Sequence, residues 1–244
     1  MSSLPEWMNR FLFIAHRGAS AYEPENTIKA FRRALEMGAD AIEMDVRITS
    51  DGVPVVIHDE TLDRVAGANL RVRDLTLSEL RKHLVFGSEP IPTLTEVLDE
   101  FGGRIPLFIE IKDVEATEKV IQEIASRGLQ RDVAIISFKP EALAIARNAL
   151  KDLVTGIITS RRIASAREVI KLGVQAFLPR YDAITPRIVK EMHAHGVRVY
   201  VWTVNDPSLA VKLIGYGVDG IATDRPDLKR SVGKQQTLLK YLKP

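Results

Sequence analysis

Residues 41–58 read AIEMDVRITSDGVPVVIH. The first half is a run of apolar residues broken at every second position near its end, by Glu43 and Asp45. Successive strand residues point to opposite faces, so these two carboxylates share one face. Directing two unpaired carboxylates into a dry core is costly, so the face they share is expected to line a site. Asp51-Gly52 separates RITS from VPVVIHD and reads as a tight hairpin turn. If those two residues are the whole loop, Ser50 faces Val53, Asp45 faces His58, and Glu43, Asp45 and His58 converge on one side.

Working outward, the same pattern recurs. In PLFIEIK, Glu110 and Lys112 stand two apart at the end of an apolar run, and FLFIAHRG ends in His16 and Arg17. Strands are predicted over 11–16, 41–47, 106–111, 133–137, 154–159, 175–179, 198–203 and 219–223. Amphipathic stretches follow over 26–37, 93–101, 115–127, 140–149, 162–172, 185–195, 207–215 and 226–241. Eight strand–helix units point to an α/β fold, a (β/α)8 TIM barrel, with parallel strands covered on both faces. Thr93/Glu96 and Thr76/Glu79 are capping-box pairs, and Thr185-Pro186 and Asp206-Pro207 each put a cap before a first-turn proline. Residues 47–92 are too many for a structureless loop. They are predicted to form a small cap on the barrel mouth, after the second strand, with a short helix at SELRKHL. Residues 1–244 are read as a single domain.

The 244 residues are 45% apolar, carry a formal charge of +2 and include no cysteine. That composition allows one large core, argues against a nucleic-acid footprint, and excludes disulfides and thiolate zinc sites. The early apolar run, Phe11 to Ala15, is too short for a signal segment or a membrane span. A soluble cytoplasmic enzyme without stable membrane insertion is expected. The basic C-terminal stretch, with Lys229, Arg230, Lys234, Lys240 and Lys243, reads as a solvated helix face, with a membrane-surface helix as the alternative.

In such barrels function collects at the carboxyl ends of the strands. Glu43, Asp45 and Glu110 are hard oxygen ligands suited to Mg²⁺ or Ca²⁺; the competing reading is a buried ion network with Arg17 and Lys112. Those two cations are suited to an anion such as phosphate. His16 and His58 are either an acid–base pair or structural hydrogen-bonding residues. Trp202, ending the seventh strand, is either an apolar wall or ordinary barrel packing. Asn26 reads as the cap of the first helix, with a reach to the site as the alternative. His83, His193, His195 and Trp7 read as structural.

HRGASAYEPENTIKAF, GADAIEMDVRITSDGVPVVIHDETLDR, IPTLTEVL, FIEIK, SF, WTVN and TDRP, in that order from Phe11 to about Leu228, resemble the glycerophosphodiester phosphodiesterase family. The resemblance implies a barrel with a small insertion after its second strand. It also implies hydrolysis of glycerophosphodiesters to glycerol 3-phosphate and an alcohol, with one divalent cation, Mg²⁺ or Ca²⁺. It makes His16 and His58 the acid–base pair, Glu43, Asp45 and Glu110 the metal ligands, Arg17 and Lys112 phosphate-facing groups, and Trp202 a wall against glycerol. It further implies attack by the substrate's own 2-hydroxyl, with direct attack by water as the competing route. The partner is then a small-molecule glycerophosphodiester; a homo-oligomer is compatible. The alternatives are a lysophospholipase D using the same site on lysolipids, a barrel lyase, and a non-catalytic barrel that binds glycerophosphate.

Overall fold

The structure, a computed structural model, describes residues 4–163 and 165–233. Its barrel strands are β1 (Leu12–Ala15), β2 (Ala41–Ile48), β3 (Leu107–Ile111), β4 (Val133–Ser137), β5 (Val154–Thr159), β6 (Ala176–Pro179), β7 (Arg198–Val201) and β8 (Gly220–Thr223). Each pairs in parallel with its neighbours, and β1 pairs with both β2 and β8, which closes the barrel. The intervening helices are α1 (Ile28–Glu36), α2 (Leu94–Phe101), α3 (Thr117–Ser126), α4 (Pro140–Ala149), α5 (Arg167–Ile170), α6 (Pro186–His193) and α7 (Pro207–Gly215). Residues 228–233 are helical as well. The rest of the stretch expected over 226–241, with Lys234, Lys240 and Lys243, lies outside the described residues. No helix among the described residues is long and apolar enough to cross a membrane.

The expected eightfold order is present, with local corrections. Helix α5 starts at Arg167, five residues later than expected, and the Ser165 hydroxyl accepts from the Arg167 N–H just ahead of it. Thr27 caps α1 by accepting from Ala30 N–H, so Asn26 is not the cap. Both expected capping boxes form, and Thr185 and Asp206 accept from Ile188 and Leu209 N–H. The helix expected over SELRKHL is shorter, Leu77–Leu80, and lies between the two short ribbons of the insertion.

Alternation along the strands sorts their side chains into two cores. Ile42, Met44 and Val46, with Leu107, Ile109 and Ile111, face outward into the layer shared with the helices. Leu12, Ile14, Ala41, Phe108, Ala134, Ile136, Ile158, Leu178 and Tyr200 fill the barrel interior, closed from below by Trp7 and Met8 of a short 3₁₀ turn, Glu6–Asn9. Trp7 meets Phe108 edge-on at 5.5 Å, and Phe108 meets Tyr200 at 5.3 Å, an aromatic column up the axis. Gly220 makes room for it: a Cβ there would sit 2.8 Å from the Tyr200 ring and 2.7 Å from the Leu12 carbonyl oxygen. A cavity of about 660 Å³ lies at the amino ends of β5, β6 and β7, away from the charged residues of the mouth.

The insertion between β2 and α2 begins with the expected hairpin, in a different register. Val46 faces Val56, Arg47 faces Val55 and Ile48 faces Pro54. Thr49 and Val53 exchange the closing hydrogen bonds, so the loop has three residues, Ser50, Asp51 and Gly52, with Gly52 at φ +81°. A three-residue loop ending in a left-handed glycine is a common hairpin closure. Asp45 therefore lies opposite Ile57, whose N–H donates to its carbonyl, and not opposite His58. The insertion has its own small core of Val55, Ile57, Leu62, Val65, Val72, Leu80, Val85 and Ile91. It is stitched to the barrel where Val55 bridges Thr93 at the head of α2.

Candidate active site

The inward face of β2 runs Ala41, Glu43, Asp45, and that of β3 runs Phe108, Glu110, with Lys112 one step past the strand. The same period-two face is apolar at the base and charged at the mouth. Strand register places Asp45 beside Glu110. All three carboxylates are buried, and one oxygen of each lies within 4.8 Å of the others. Oxygens around a single ion with bonds of about 2.1–2.5 Å are separated by distances of this size.

Two buried cations border this group. Lys112 Nζ lies 2.5 Å from Glu110 Oε1 and 2.9 Å from Asp45 Oδ1. Arg17 Nε lies 3.2 Å from Asp45 Oδ2, and its Nη1 donates to Glu25 at 3.0 Å. The backbone of Arg17 takes φ +56°, which turns its N–H onto Glu43 Oε2 at 2.9 Å. A non-glycine residue in that region is strained by on the order of 1–2 kcal/mol, tolerated here because the amide serves a buried carboxylate. The adjoining Gly18, at φ +81°, rests on α1 so closely that a Cβ would meet the Ala30 backbone at 2.7 Å. Asn26 completes the loop. It is buried, donates from Nδ2 to Asp45 Oδ2 at 2.8 Å and accepts from the Asp45 N–H at 3.2 Å.

The charges do not balance. Burial, and then the Asp45 charge, push the Glu43 and Glu110 carboxyls up. Burial also works to raise Asp45, yet Lys112 and Arg17 outweigh it and hold Asp45 below the ordinary carboxylate range. Three acids against two cations leave a site that accepts further positive charge. The donor set, its spacing and this deficit all fit a divalent cation held by Glu43, Asp45 and Glu110.

Both histidines reach the same pocket. A cavity of about 120 Å³ is lined by His16, Arg17, Glu43, His58, Glu110 and Lys112 on one side, and by Ile136, Phe138, Ile158, Leu178 and Trp202 on the other. His16 follows β1 and extends the barrel pairing by donating its N–H to Thr223. Its Nδ1 lies 2.7 Å from Asp224 Oδ1, and Asp224 also accepts from Ser20 and Asn205. Those donors hold Asp224 down at about 2 against the upward push of burial. His58 reaches the pocket although its register differs from expectation: the strand ends at Val56, the last hydrogen bond to β2 comes from Ile57, and the chain bends at His58. Its Nδ1 lies 2.7 Å from Asp59 Oδ1, and Arg47 Nε holds its carbonyl at 2.9 Å. With ionised carboxylates as acceptors, each Nδ1 carries hydrogen, which leaves each Nε2 as the reactive nitrogen. Burial pulls the His16 ring down, but Asp224 and Glu43 outweigh it and the net shift is upward; for His58 burial prevails and the shift is downward.

Asp59 is itself held. Arg64 Nε donates to Asp59 Oδ2 at 2.6 Å, while both Arg64 terminal nitrogens donate to Glu25 at 2.7 Å. Glu25 also accepts from Arg17, so an unbroken line of ion pairs runs from Asp45 through Arg17, Glu25, Arg64 and Asp59 to His58. Glu25, Asp59 and Arg64 lie within the stretches quoted for the resemblance, but no spacing singles them out beyond Asp59 directly following His58. Trp202 forms the apolar wall, its Nε1 anchored on the Leu178 carbonyl at 2.8 Å and its ring edge-on to Phe138 at 5.8 Å. Of the residues expected to be structural, Trp7 Nε1 donates to the Arg131 carbonyl, His193 pairs with Asp219, and His195 lies on the Glu191 carbonyl; neither these three nor His83 lines the pocket of the two histidines.

Known proteins agree with this architecture. The chain is 38% identical over 230 residues to a glycerophosphodiester phosphodiesterase of Caldanaerobacter subterraneus, covering 88% of this chain and 95% of that one. It is 34% identical over 257 residues to a glycerophosphodiester phosphodiesterase of Bacillus subtilis, covering 93% and 87%. Among solved structures, a phosphodiesterase of Oleispira antarctica in complex with the product sn-glycerol-3-phosphate superposes with a TM-score of 0.85 at 26% identity, covering 93% and 98%. The glycerophosphodiester phosphodiesterase of Thermotoga maritima superposes with a TM-score of 0.79 at 30% identity, covering 91% and 98%. The sequence profile of the glycerophosphoryl diester phosphodiesterase family matches residues 16–228, and the chain belongs to that family.

Proposed function

We propose that this chain, a single barrel domain with a cap, hydrolyses glycerophosphodiesters to glycerol 3-phosphate and an alcohol, with His16 and His58 as its acid–base pair. The observation that carries the reading is the convergence of two carboxylate-oriented imidazoles, two acids and two cations on one 120 Å³ cavity, with the buried Asp45 grouped with both acids behind its wall. A sensor of glycerophosphate needs anion-binding groups but no paired acid and base. The product held by the Oleispira antarctica relative has the same chemistry.

Glu43, Asp45 and Glu110 hold one divalent cation, Mg²⁺ or Ca²⁺, which when bound supplies Lewis-acid polarisation of the phosphoryl group. Arg17 and Lys112 hold the phosphoryl oxygens and stabilise charge that develops on them. Trp202 and Phe138 receive the carbon face of glycerol. His16 takes the proton of the 2-hydroxyl as its oxygen bonds to phosphorus. His58 gives its proton to the departing alcohol oxygen as the old P–O bond breaks. In the second half water attacks phosphorus and loses its proton to His58, while His16 returns its proton to the 2-oxygen. A cytoplasmic location fits the cysteine-free composition.

The test is release of glycerol 3-phosphate from glycerophosphocholine. We expect chelation to abolish it and added Mg²⁺ or Ca²⁺ to restore it. Full turnover after rigorous chelation would reduce the three acids to an ion network. A diester whose glycerol lacks the 2-hydroxyl should not turn over; undiminished turnover would mean that water attacks directly.

A further inference from the structure

A second cavity, about 320 Å³, adjoins the first and shares Lys112 with it. Its lining carries four cations, Arg47, Arg73, Lys112 and Lys139, against two acids, Glu60 and Asp113. Arg47 is committed to Asp113 at 2.8 Å, and Lys112 to Asp45 and Glu110. The side chains of Arg73 and Lys139 have no ion-pair or hydrogen-bond partner among the described residues. They come from different parts of the chain, Arg73 from a 3₁₀ turn of the cap (Val72–Asp74) and Lys139 from the residue before α4. Two unneutralised cations from separate elements on one cavity repel each other and gain by sharing an anion.

The position of the cavity ties it to one half of the substrate. Arg47, in its wall, also holds the carbonyl of His58, the group that delivers a proton to the departing oxygen. The reacting cavity also has the apolar wall of Trp202 and Phe138, and the Phe138 ring lies 6.0 Å from Lys112 Nζ, beside the shared edge of the two cavities.

Resting on the function proposed above, we propose that this cavity receives the leaving alcohol and selects alcohols that carry an anionic group of their own, a phosphate monoester above all. The cationic headgroup of glycerophosphocholine is then accepted in spite of the cavity.

The experiment compares kcat/KM, at saturating metal and low salt, for three diesters with the same glycerophosphate half. Their alcohols are glycerol phosphate, glycerol and choline, which are anionic, neutral and cationic. We expect that order of preference, spanning about tenfold if each exposed cation contributes near the upper end of a surface ion pair, and shrinking as salt is added. The double variant Arg73→Gln, Lys139→Gln alters only exposed side chains. It should bring the three diesters to within about twofold of each other while the neutral diester keeps its wild-type rate. Equal rates on all three by the wild type, or an order unchanged in the double variant, overturns the cavity assignment and leaves the hydrolase standing. No cleavage of any of the three with metal present takes down both.

Discussion

The two arcs of the barrel mouth are built on one inward face and share almost nothing else. From β1 to β3 that face ends in His16, Glu43, Asp45, Glu110 and Lys112; from β4 to β7 it ends in Ile136, Ile158, Leu178 and Trp202. A buried charge is tolerated only beside its partners, so the charged residues must gather on adjacent strands, and β1, β2 and β3 are adjacent by barrel closure. The apolar arc needs no partners and serves as wall. The charged arc divides again according to what holds its two histidines. Asp224, tied to Ser20 and Asn205, fixes His16 within the barrel frame. Asp59, tied to Arg64, fixes His58 from the cap. If both arcs form one site, disturbing the charged arc should remove chemistry and leave the fold, and the barrel-held and cap-held histidines should fail in different ways.

The largest effect is expected from the rings themselves. His16→Ala and His58→Ala should each lower kcat by about 10²–10⁴-fold, with far-UV circular dichroism unchanged. A variant that keeps near-normal turnover would take its residue out of the chemistry and leave the charged arc a binding surface.

Next come the orienting carboxylates. Asp224→Asn and Asp59→Asn each remove the charge behind an imidazole while keeping its shape. We expect roughly 10–100-fold losses in kcat from misorientation and the wrong tautomer. Asp224 stands in a network of three donors and Asp59 in one of two, so the barrel-held ring should keep its place better. A crystal structure of each variant, with the His16 ring in place and the His58 ring displaced, would bear this out. The reverse would show the cap to be the stiffer support.

How much of this was legible in the chain follows the same division. The charged arc declared itself because charged residues two apart in an apolar run have few structural uses, and AIEMDV and FIEIK each carry such a pair, two acids in the first and an acid and a lysine in the second. The eight strands were legible because a buried parallel strand is a dense apolar run whatever its neighbours. The hairpin register was missed by one step because Asp-Gly also closes a three-residue loop, and a left-handed Gly52 serves either geometry. Asn26 was assigned to the helix cap because Asn26 and Thr27 are both competent caps, and only the tertiary position of Asp45 decides between them. The support of His58 was illegible for a different reason. Glu25 and Arg64 are 39 residues apart, and no local pattern says that the cap folds one onto the other.

That line of ion pairs supplies the smallest of these effects and the one that best separates cap from barrel. Arg64 is half-exposed and touches no reacting group, so its removal should leave substrate binding by Arg17 and Lys112 largely intact. It frees Asp59, and through it His58, to sample other rotamers. We expect Arg64→Ala to lower kcat by up to about tenfold with KM little changed, since solvent screens a half-exposed pair. Arg64→Lys, which reaches one carboxylate but not both, should recover part of the loss. A rise in KM at constant kcat would mean that Arg64 acts through Arg17 on phosphate binding. In that case the cap would hold substrate and not the acid, and the contrast between the two histidines would lie within the barrel alone.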